Sequence, residues 1–328
     1  VTSDCSKEKL VPPVDGDRPG PADAPLPAAV TERVESDDAG AAEGVPVLTV
    51  SGVAVRFGGV AALSAVDLTA QAGAVTGLIG PNGAGKTTLF NVISGLQQPD
   101  GGKVLFGPTN LAGISPHRRA RMGIARTFQR LELFGTLTAG ENVQVGLESA
   151  VKWWQWRHVR SSFPWRRGPL SAGGESAAVE DPGGPGSLAV TTADRLLAGV
   201  GLAGTSTNQA SAMPTGSARM VELARALSIG PKLLLLDEPG SGLDDSESEA
   251  LGTLLTRLAA SGMAILLVEH DMELVMRICD TIHVLDFGQV IASGSPDEVR
   301  ADPAVQAAYL GAGVAPASAG AEQEGAGS

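Results

Sequence analysis

Cysteine is almost missing from this chain: 328 residues contain two, Cys5 and Cys279. Neither a disulfide framework nor a four-thiolate zinc site can be built from them, and a reducing cytosol is the expected home. Positive charge is scarce as well. Twenty-four Lys and Arg face 36 Asp and Glu, for a net charge of −12 and a pI near 4.8. That balance argues against nucleic acid as the main partner, because phosphate neutralisation needs clustered cations. No apolar run approaches the roughly 18–20 residues that span a bilayer, and residues 1–7 have no signal-peptide-like apolar segment behind them. Work at a membrane is therefore expected to go through a partner. The first 46 residues lack aromatics altogether and hold ten acids against four bases, a net −6 that is half of the whole chain's charge. Rich in Pro, Ala and Gly and without apolar periodicity, they are expected to be a disordered acidic tail. Residues 312–328, again Ala, Gly and Glu, read the same way.

What the chain does have is organised around Gly80-Pro81-Asn82-Gly83-Ala84-Gly85-Lys86-Thr87-Thr88, which fits G-x-x-x-x-G-K-[ST] directly behind the apolar run 74–79. A buried strand, a glycine-rich turn and then a helix over 86–94 form the context of a phosphate site. Glycines let backbone N–H groups turn inward around polyphosphate oxygens, and the helix N-terminus adds its positive dipole end. Lys86 is placed to reach the β- and γ-phosphates, and the Thr87 hydroxyl to ligate Mg2+.

The order around that loop follows from the pattern. Residues 47–57 and 63–70 read as strands about a Gly58-Gly59 turn, 99–102 as a turn and 103–106 as a short strand. Phe57 is a candidate platform for adenine, with ordinary strand packing as the alternative. A basic helical stretch opening at Pro116 leads to Gln129, whose carboxamide can offer an oxygen to Mg2+ and an N–H to an attacking water. Residues 151–168 then hold all four tryptophans (Trp153, Trp154, Trp156, Trp165) among Lys152, Arg157, Arg160, Arg166 and Arg167. Such a mixture suits a membrane interface, a protein interface, or a helical hairpin that packs its rings inward. A Gly/Pro/Ser-rich loop to residue 187 precedes a helix over 188–202. Met213-Pro214-Thr215-Gly216-Ser217 opens the next helix, where Gly216 permits a second anion site.

Leu233-Leu234-Leu235-Leu236 reads as a strand buried on both faces that delivers Asp237 and Glu238 at its C-terminal end. Beside a phosphate loop, Asp237 would hold Mg2+ and Glu238 would act as general base toward water. After Ser241-Gly242-Leu243-Asp244 a helix begins near Ser246. A further buried strand, 263–268, ends in Glu269-His270-Asp271, where His270 can face a γ-phosphate and carry charge near neutral pH. Strands over 281–285 and 289–294 and a helix over 296–310 complete the pattern.

In this order the elements resemble the ATP-binding-cassette (ABC) ATPase family over roughly 47–311. Phe57 matches the family's adenine-stacking aromatic, Gly80 to Thr88 its Walker A loop, Gln129 the Q-loop and Met213 to Ser217 the signature. Asp237 and Glu238 match the Walker B pair, Ser241 to Asp244 the D-loop, and His270 the switch histidine. Arg126-Thr127-Phe128-Gln129, Glu141-Asn142, Glu269-His270-Asp271-Met272 and Ala308-Tyr309-Leu310-Gly311 look like the ATPase subunits of branched-chain amino acid importers.

The resemblance implies an α/β fold: a P-loop NTPase (RecA-like) core, an antiparallel β-subdomain and a helical subdomain over about 115–226 with an insert at 151–187. It implies ATP and Mg2+ as ligands, with Thr87, Gln129 and Asp237 toward the metal and Glu238, His270, Lys86 and Gln129 in catalysis. The implied partners are a second ABC ATPase subunit, membrane permease subunits and, indirectly, an external solute-binding protein, with the chain on the cytoplasmic face of the membrane. Another cargo (a urea-type solute or an exported lipid) and a non-transport ABC ATPase are the alternatives. One departure stands out: Pro214 occupies the place of the signature serine and brings neither hydroxyl nor N–H. It bears on how well this subunit completes its partner's ATP site.

Overall fold

The computed structural model describes residues 46–149 and 185–310. Apart from their edges, the expected terminal tails and the tryptophan-bearing insert lie outside these residues. Two sheets make the framework. Strands β1 (Leu48–Phe57), β2 (Val60–Ala70), β4 (Gly101–Phe106) and β5 (Thr109–Asn110) form an antiparallel sheet in the order β2-β1-β4-β5. Strands β3 (Val75–Ile79), β6 (Ile124–Arg126), β7 (Leu233–Asp237), β8 (Ala264–Val268), β9 (Thr281–Asp286) and β10 (Gln289–Gly294) form the second, in the order β10-β9-β3-β8-β7-β6. Its strands run parallel except β10, which turns back antiparallel on β9.

The four leucines explain how this second sheet is buried. Successive side chains of a strand point to opposite faces, and here Leu234 and Leu236 join one hydrophobic cluster while Leu233 and Leu235 join another. Strand β8 alternates in the same way, with Ile265 and Leu267 on one side and Ala264, Leu266 and Val268 on the other. One cluster lies under the helices α4 (Pro185–Gly199), α5 (Thr215–Leu227), α6 (Asp245–Ala260) and α7 (Met272–Ile278). The other fills the space between the two sheets around α1 (Lys86–Ser94), with Phe90 and Leu89 at its centre. Replacing Leu235 by Ala there removes well-packed volume from a fully buried position, a change that typically costs about 2–5 kcal/mol.

The remaining helices are α2 (Pro116–Met122), α3 (residues 139–149), α8 (Pro296–Ala301) and α9 (Pro303–Leu310). In α2 one cation of the basic stretch turns inward. Arg119 is buried and donates to the carbonyls of Val92, Ile93, Leu111 and Ile114 at 2.7–2.9 Å, satisfying the C-terminal end of α1. Asn142, on α3, fixes the loop before it by donating to the Phe134 and Thr138 carbonyls and accepting from the Phe134 N–H.

Three sequence expectations are corrected. The single helix over 296–310 is two, because Asp302 takes an extended conformation (ψ 121°) ahead of Pro303, which disfavours a helical predecessor. The turn expected over 99–102 ends earlier, since Gly101 and Lys103 already pair with Ala54 and Ser51 of β1. Helix α4 begins at Pro185, not Leu188, and ends at Gly199.

Candidate functional site

Every parallel strand leads its chain to the same edge of the sheet, so β3, β6, β7 and β8 deliver their following loops to one cleft. After β3 the loop Gly80 to Gly85 wraps back before α1 begins. Gly80 has φ 149°, and a Cβ there would sit 1.9 Å from the Leu285 carbonyl oxygen; at Gly85, φ 108°, it would meet the Ala62 carbonyl oxygen at 2.6 Å. These positions require glycine on two counts, backbone conformation and lack of space. Gly85 caps α1 without any side-chain hydrogen bond, so the first amides of the helix face the loop's concavity. Lys86 is buried with its ammonium held at the loop's mouth, donating to the Gly80 and Pro81 carbonyls at 2.6 and 3.0 Å. Burial pulls its pKa down, and the charges of Glu238 and Asp237 oppose that shift. That mutual influence brings the phosphate loop and the acidic pair into one electrostatic unit. Asn82, Gly83 and Thr87 are exposed, Pro81 and Thr88 half-buried and Ala84 buried.

Glu238 is where three of the sequence candidates meet. Gln129 donates through Nε2 to its Oε2 at 3.0 Å, and His270 Nε2 lies 2.9 Å from its Oε1. The glutamate adopts φ 52°, unusual for a non-glycine residue, and its own N–H is tied to the Val268 carbonyl at 2.9 Å. Its side chain is 18% exposed and that of His270 47%, so the pair opens to the cleft. Asp237 sits deeper, 2% exposed and paired with Arg126 Nη2 at 3.1 Å through Oδ2. Burial raises its pKa while the Arg126 charge pulls it back down.

The donors suit Mg2+, which favours hard oxygen ligands: the Thr87 hydroxyl, the Gln129 carboxamide oxygen and the Asp237 Oδ1 left outside the arginine pair. Among the described residues no group of three or more His, Cys, Asp or Glu gathers into a metal site. A cation here would draw its other ligands from phosphate oxygens and water.

Two candidates lie off this cluster. Phe57 ends β1 with its ring 52% exposed; the hairpin it opens reaches the phosphate loop where the Ala62 carbonyl crowds Gly85. Gly216, in the first turn of α5, is buried, and a Cβ there would lie 2.9 Å from both Glu247 Oε2 and Leu243 Cδ2. Its smallness lets α5 approach the start of α6, where Asp244 and Glu247 form a capping box.

The pattern alone did not single out four charged residues that shape the cleft. Arg126 pairs with Asp237. From α5, Arg219 donates to the Phe128 and Gln129 carbonyls at 2.8 and 2.5 Å, while Glu222 accepts from the Phe128 N–H at 3.4 Å. Glu269 accepts from the Gly240 N–H at 2.6 Å and the His270 N–H at 3.1 Å, so it fixes the backbone on either side of the glutamate–histidine pair. All four are buried charges or nearly so, and each has at least one partner distant in sequence, which spacing cannot reveal.

A glycine-rich anion cradle at a helix N-terminus, facing an acidic pair at the end of another parallel strand of the same sheet, one strand removed, defines a P-loop NTPase. A family profile described as ABC transporter matches residues 63–241, and one described as branched-chain amino acid ATP-binding cassette transporter matches residues 289–315. The chain belongs to the ABC transporter family, as an ATPase domain. It is 37% identical over 269 residues to the high-affinity branched-chain amino acid transport ATP-binding protein BraF of Pseudomonas aeruginosa, covering 81% of this chain and 98% of that protein. LivG of Escherichia coli K12, of the same description, is 37% identical over 267 residues with the same coverage. The lipopolysaccharide export ATP-binding protein LptB of Haemophilus influenzae is 30% identical over 266 residues, covering 81% of this chain and 97% of that protein. Among solved structures, the ADP conformation of MJ1267, an ATP-binding cassette of an ABC transporter, is similar with a TM-score of 0.65 and 28% identity over 81% of this chain and 99% of that one.

Proposed function

We propose that this chain is the ATP-hydrolysing subunit of a branched-chain amino acid importer, working on the cytoplasmic face of the membrane through permease subunits. The observation that carries the hydrolytic reading is Glu238, held between Gln129 and His270 at 3.0 and 2.9 Å beside the Lys86 loop. The cargo reading is supported by the 37% identity to two branched-chain amino acid transport ATPases and by the match over residues 289–315. The cassette is taken as 47–311, with 115–226 as its helical lobe.

In this reading ATP lies on Gly80 to Thr88 with its adenine against Phe57. Thr87, Gln129 and Asp237 would hold Mg2+, which would supply positive charge toward the phosphates. Lys86 meets the charge that develops on the γ-phosphoryl group, and Glu238 takes the proton of the water that attacks it in line. Release of Pi and ADP frees His270 and Gln129 from the cleft's contents, so both residues sense occupancy. A second ABC subunit covers the nucleotide with its signature loop, as Gly216 and its neighbours cover the partner's. Closure does mechanical work because nucleotide favours the closed pair over the open one.

The test is a pull-down from detergent-solubilised membranes with full-length Glu238→Gln in ATP. The expected result is a trapped ATP-bound pair that brings down two different permease subunits and a second cassette ATPase, with a solute-binding protein joining from outside. A Glu238→Gln chain that hydrolyses ATP normally removes Glu238 from its role. Recovery of lipid-export subunits instead would favour the reading suggested by the similarity to LptB.

A further inference from the structure

We propose that Arg126 is a positioning residue for Asp237: it fixes the carboxylate through Oδ2 so that Oδ1 stands ready to order the nucleotide-bound metal. This rests on the Mg2+–ATP reading of the site above. Arg126 is 6% exposed and Asp237 2%, so water cannot hold the carboxylate and a protein group must. The guanidinium is itself immobilised from every side. Its Nη1 donates to Asn91 Oδ1 at 2.7 Å and Ser94 Oγ at 3.1 Å, both on α1, and its Nη2 reaches Asp237 at 3.1 Å. Phe90 and Phe128 flank it, with ring centroids 5.5 and 4.9 Å from Cζ. Nε alone finds no hydrogen-bond partner.

The side chain thus ties together three elements that must keep register: the helix that starts at Lys86, the segment that carries Gln129, and the end of β7. Contact with Asp237 is through one oxygen only, unlike the two-oxygen fork that guanidinium and carboxylate form when nothing else claims the acid. A purely structural ion pair at this depth contributes little net stability, since desolvation cancels much of the attraction. Lysine would keep the charge but lose the planar fork that reaches Asn91 and Asp237 together.

The experiment measures the affinity of the full chain for a fluorescent non-hydrolysable ATP analogue, with Mg2+ and with EDTA. The quantity read is the ratio of the two dissociation constants. Loss of an outer support of this kind typically weakens metal binding about 10–100-fold. In Arg126→Met the Mg2+-dependent gain should fall at least about tenfold while the metal-free affinity stays within about twofold of the unmodified chain, and Arg126→Lys should lie between. An unchanged ratio in Arg126→Met, or equal weakening with and without metal, would overturn the inference. If Arg126→Met does not fold, Asn91→Ala loosens the anchor while leaving the ion pair, and the same ratio should fall by about threefold; no fall there overturns it too. A native chain with no Mg2+-dependent gain would instead sink the nucleotide reading itself, and this inference with it.

Discussion

Two non-glycine residues with left-handed backbone sit close to the phosphate loop, and the contrast between them separates functional strain from plain strain. Glu238, φ 52°, has its amide tied to Val268 and its carboxylate shared by Gln129 and His270. The cost of that conformation, on the order of 1 kcal/mol, aims the carboxylate at the cleft. Phe287, φ 40°, precedes Gly288, φ 77°, in the β9–β10 hairpin and leaves its ring 86% exposed. A two-residue turn with both φ values positive selects Asn-Gly or Asp-Gly, and a bulky aromatic at its first position is a mismatch. Phe287→Asn should therefore raise stability by about 0.5–1 kcal/mol, or roughly 1–4 °C in Tm, in thermal or urea denaturation. The Gly288 amide, which donates to the Ala84 carbonyl at 3.0 Å, would be unaffected. A lower midpoint would mean that the Phe287 ring has a stabilising contact of its own.

At the scale of elements, the link between α5 and the Gln129 segment is the feature with the clearest consequence. Arg219 holds two successive carbonyls, those of Phe128 and Gln129, and Glu222 holds the Phe128 amide, so the helix opening at Pro214 and the glutamine on Glu238 move as one body. Arg219→Met cuts both carbonyl bonds without touching the phosphate loop. Steady-state kinetics should then give a kcat lowered at least about tenfold with KM for ATP changed by less than about twofold. A loss confined to KM would contradict the link. This clamp also marks how far the sequence could be read. The phosphate loop, the four-leucine strand and the candidates Lys86, Asp237 and Glu238 were legible because short-range pattern decides them: a glycine spacing, a buried run, an acid at a strand end; Gln129 and His270 were legible only through the family resemblance. The long-range contacts of Arg126, Arg219, Glu222 and Glu269 were not, because each reaches a backbone or side-chain atom brought close only by the fold. The break at Pro303 has a local cause that the sequence does show, since proline disfavours a helical residue before it. Gly101 and Gly102 belong to β4 in spite of their turn character, because pairing with β1 outweighs local propensity.

On the scale of the whole molecule, stability depends on how the antiparallel sheet lies over the central one, and His283 sits in that seam. Its neighbours in β9, Ile282 and Val284, pack toward the helices, which turns the imidazole toward β2. There it is buried, with Nδ1 2.9 Å from Ser293 Oγ and Nε2 without a hydrogen-bond partner; Arg56, Asp67 and Thr69 line the same cavity. Burial pulls its pKa below the ordinary 6.5, and the Thr69 contact only partly offsets this. In the unfolded chain the imidazole takes up its proton near 6.5, whereas in the fold it does so at lower pH. Between those values the unfolded state binds the extra proton, so His283 contributes stability above pH 6.5 that is lost as the pH falls. The buried acids Asp237, Glu222 and Glu269, whose pKa values burial raises, shift the balance the other way on acidification. A single melting curve would mix the two signs. The difference between the native chain and His283→Gln separates them: from pH 7.5 to 5.5 the native Tm should fall further than that of the variant, by roughly 2–4 °C for each kcal/mol that the histidine withdraws. Parallel curves for the two proteins would mean that His283 titrates alike in the folded and unfolded chain, and that the seam between the sheets is open to water at that point.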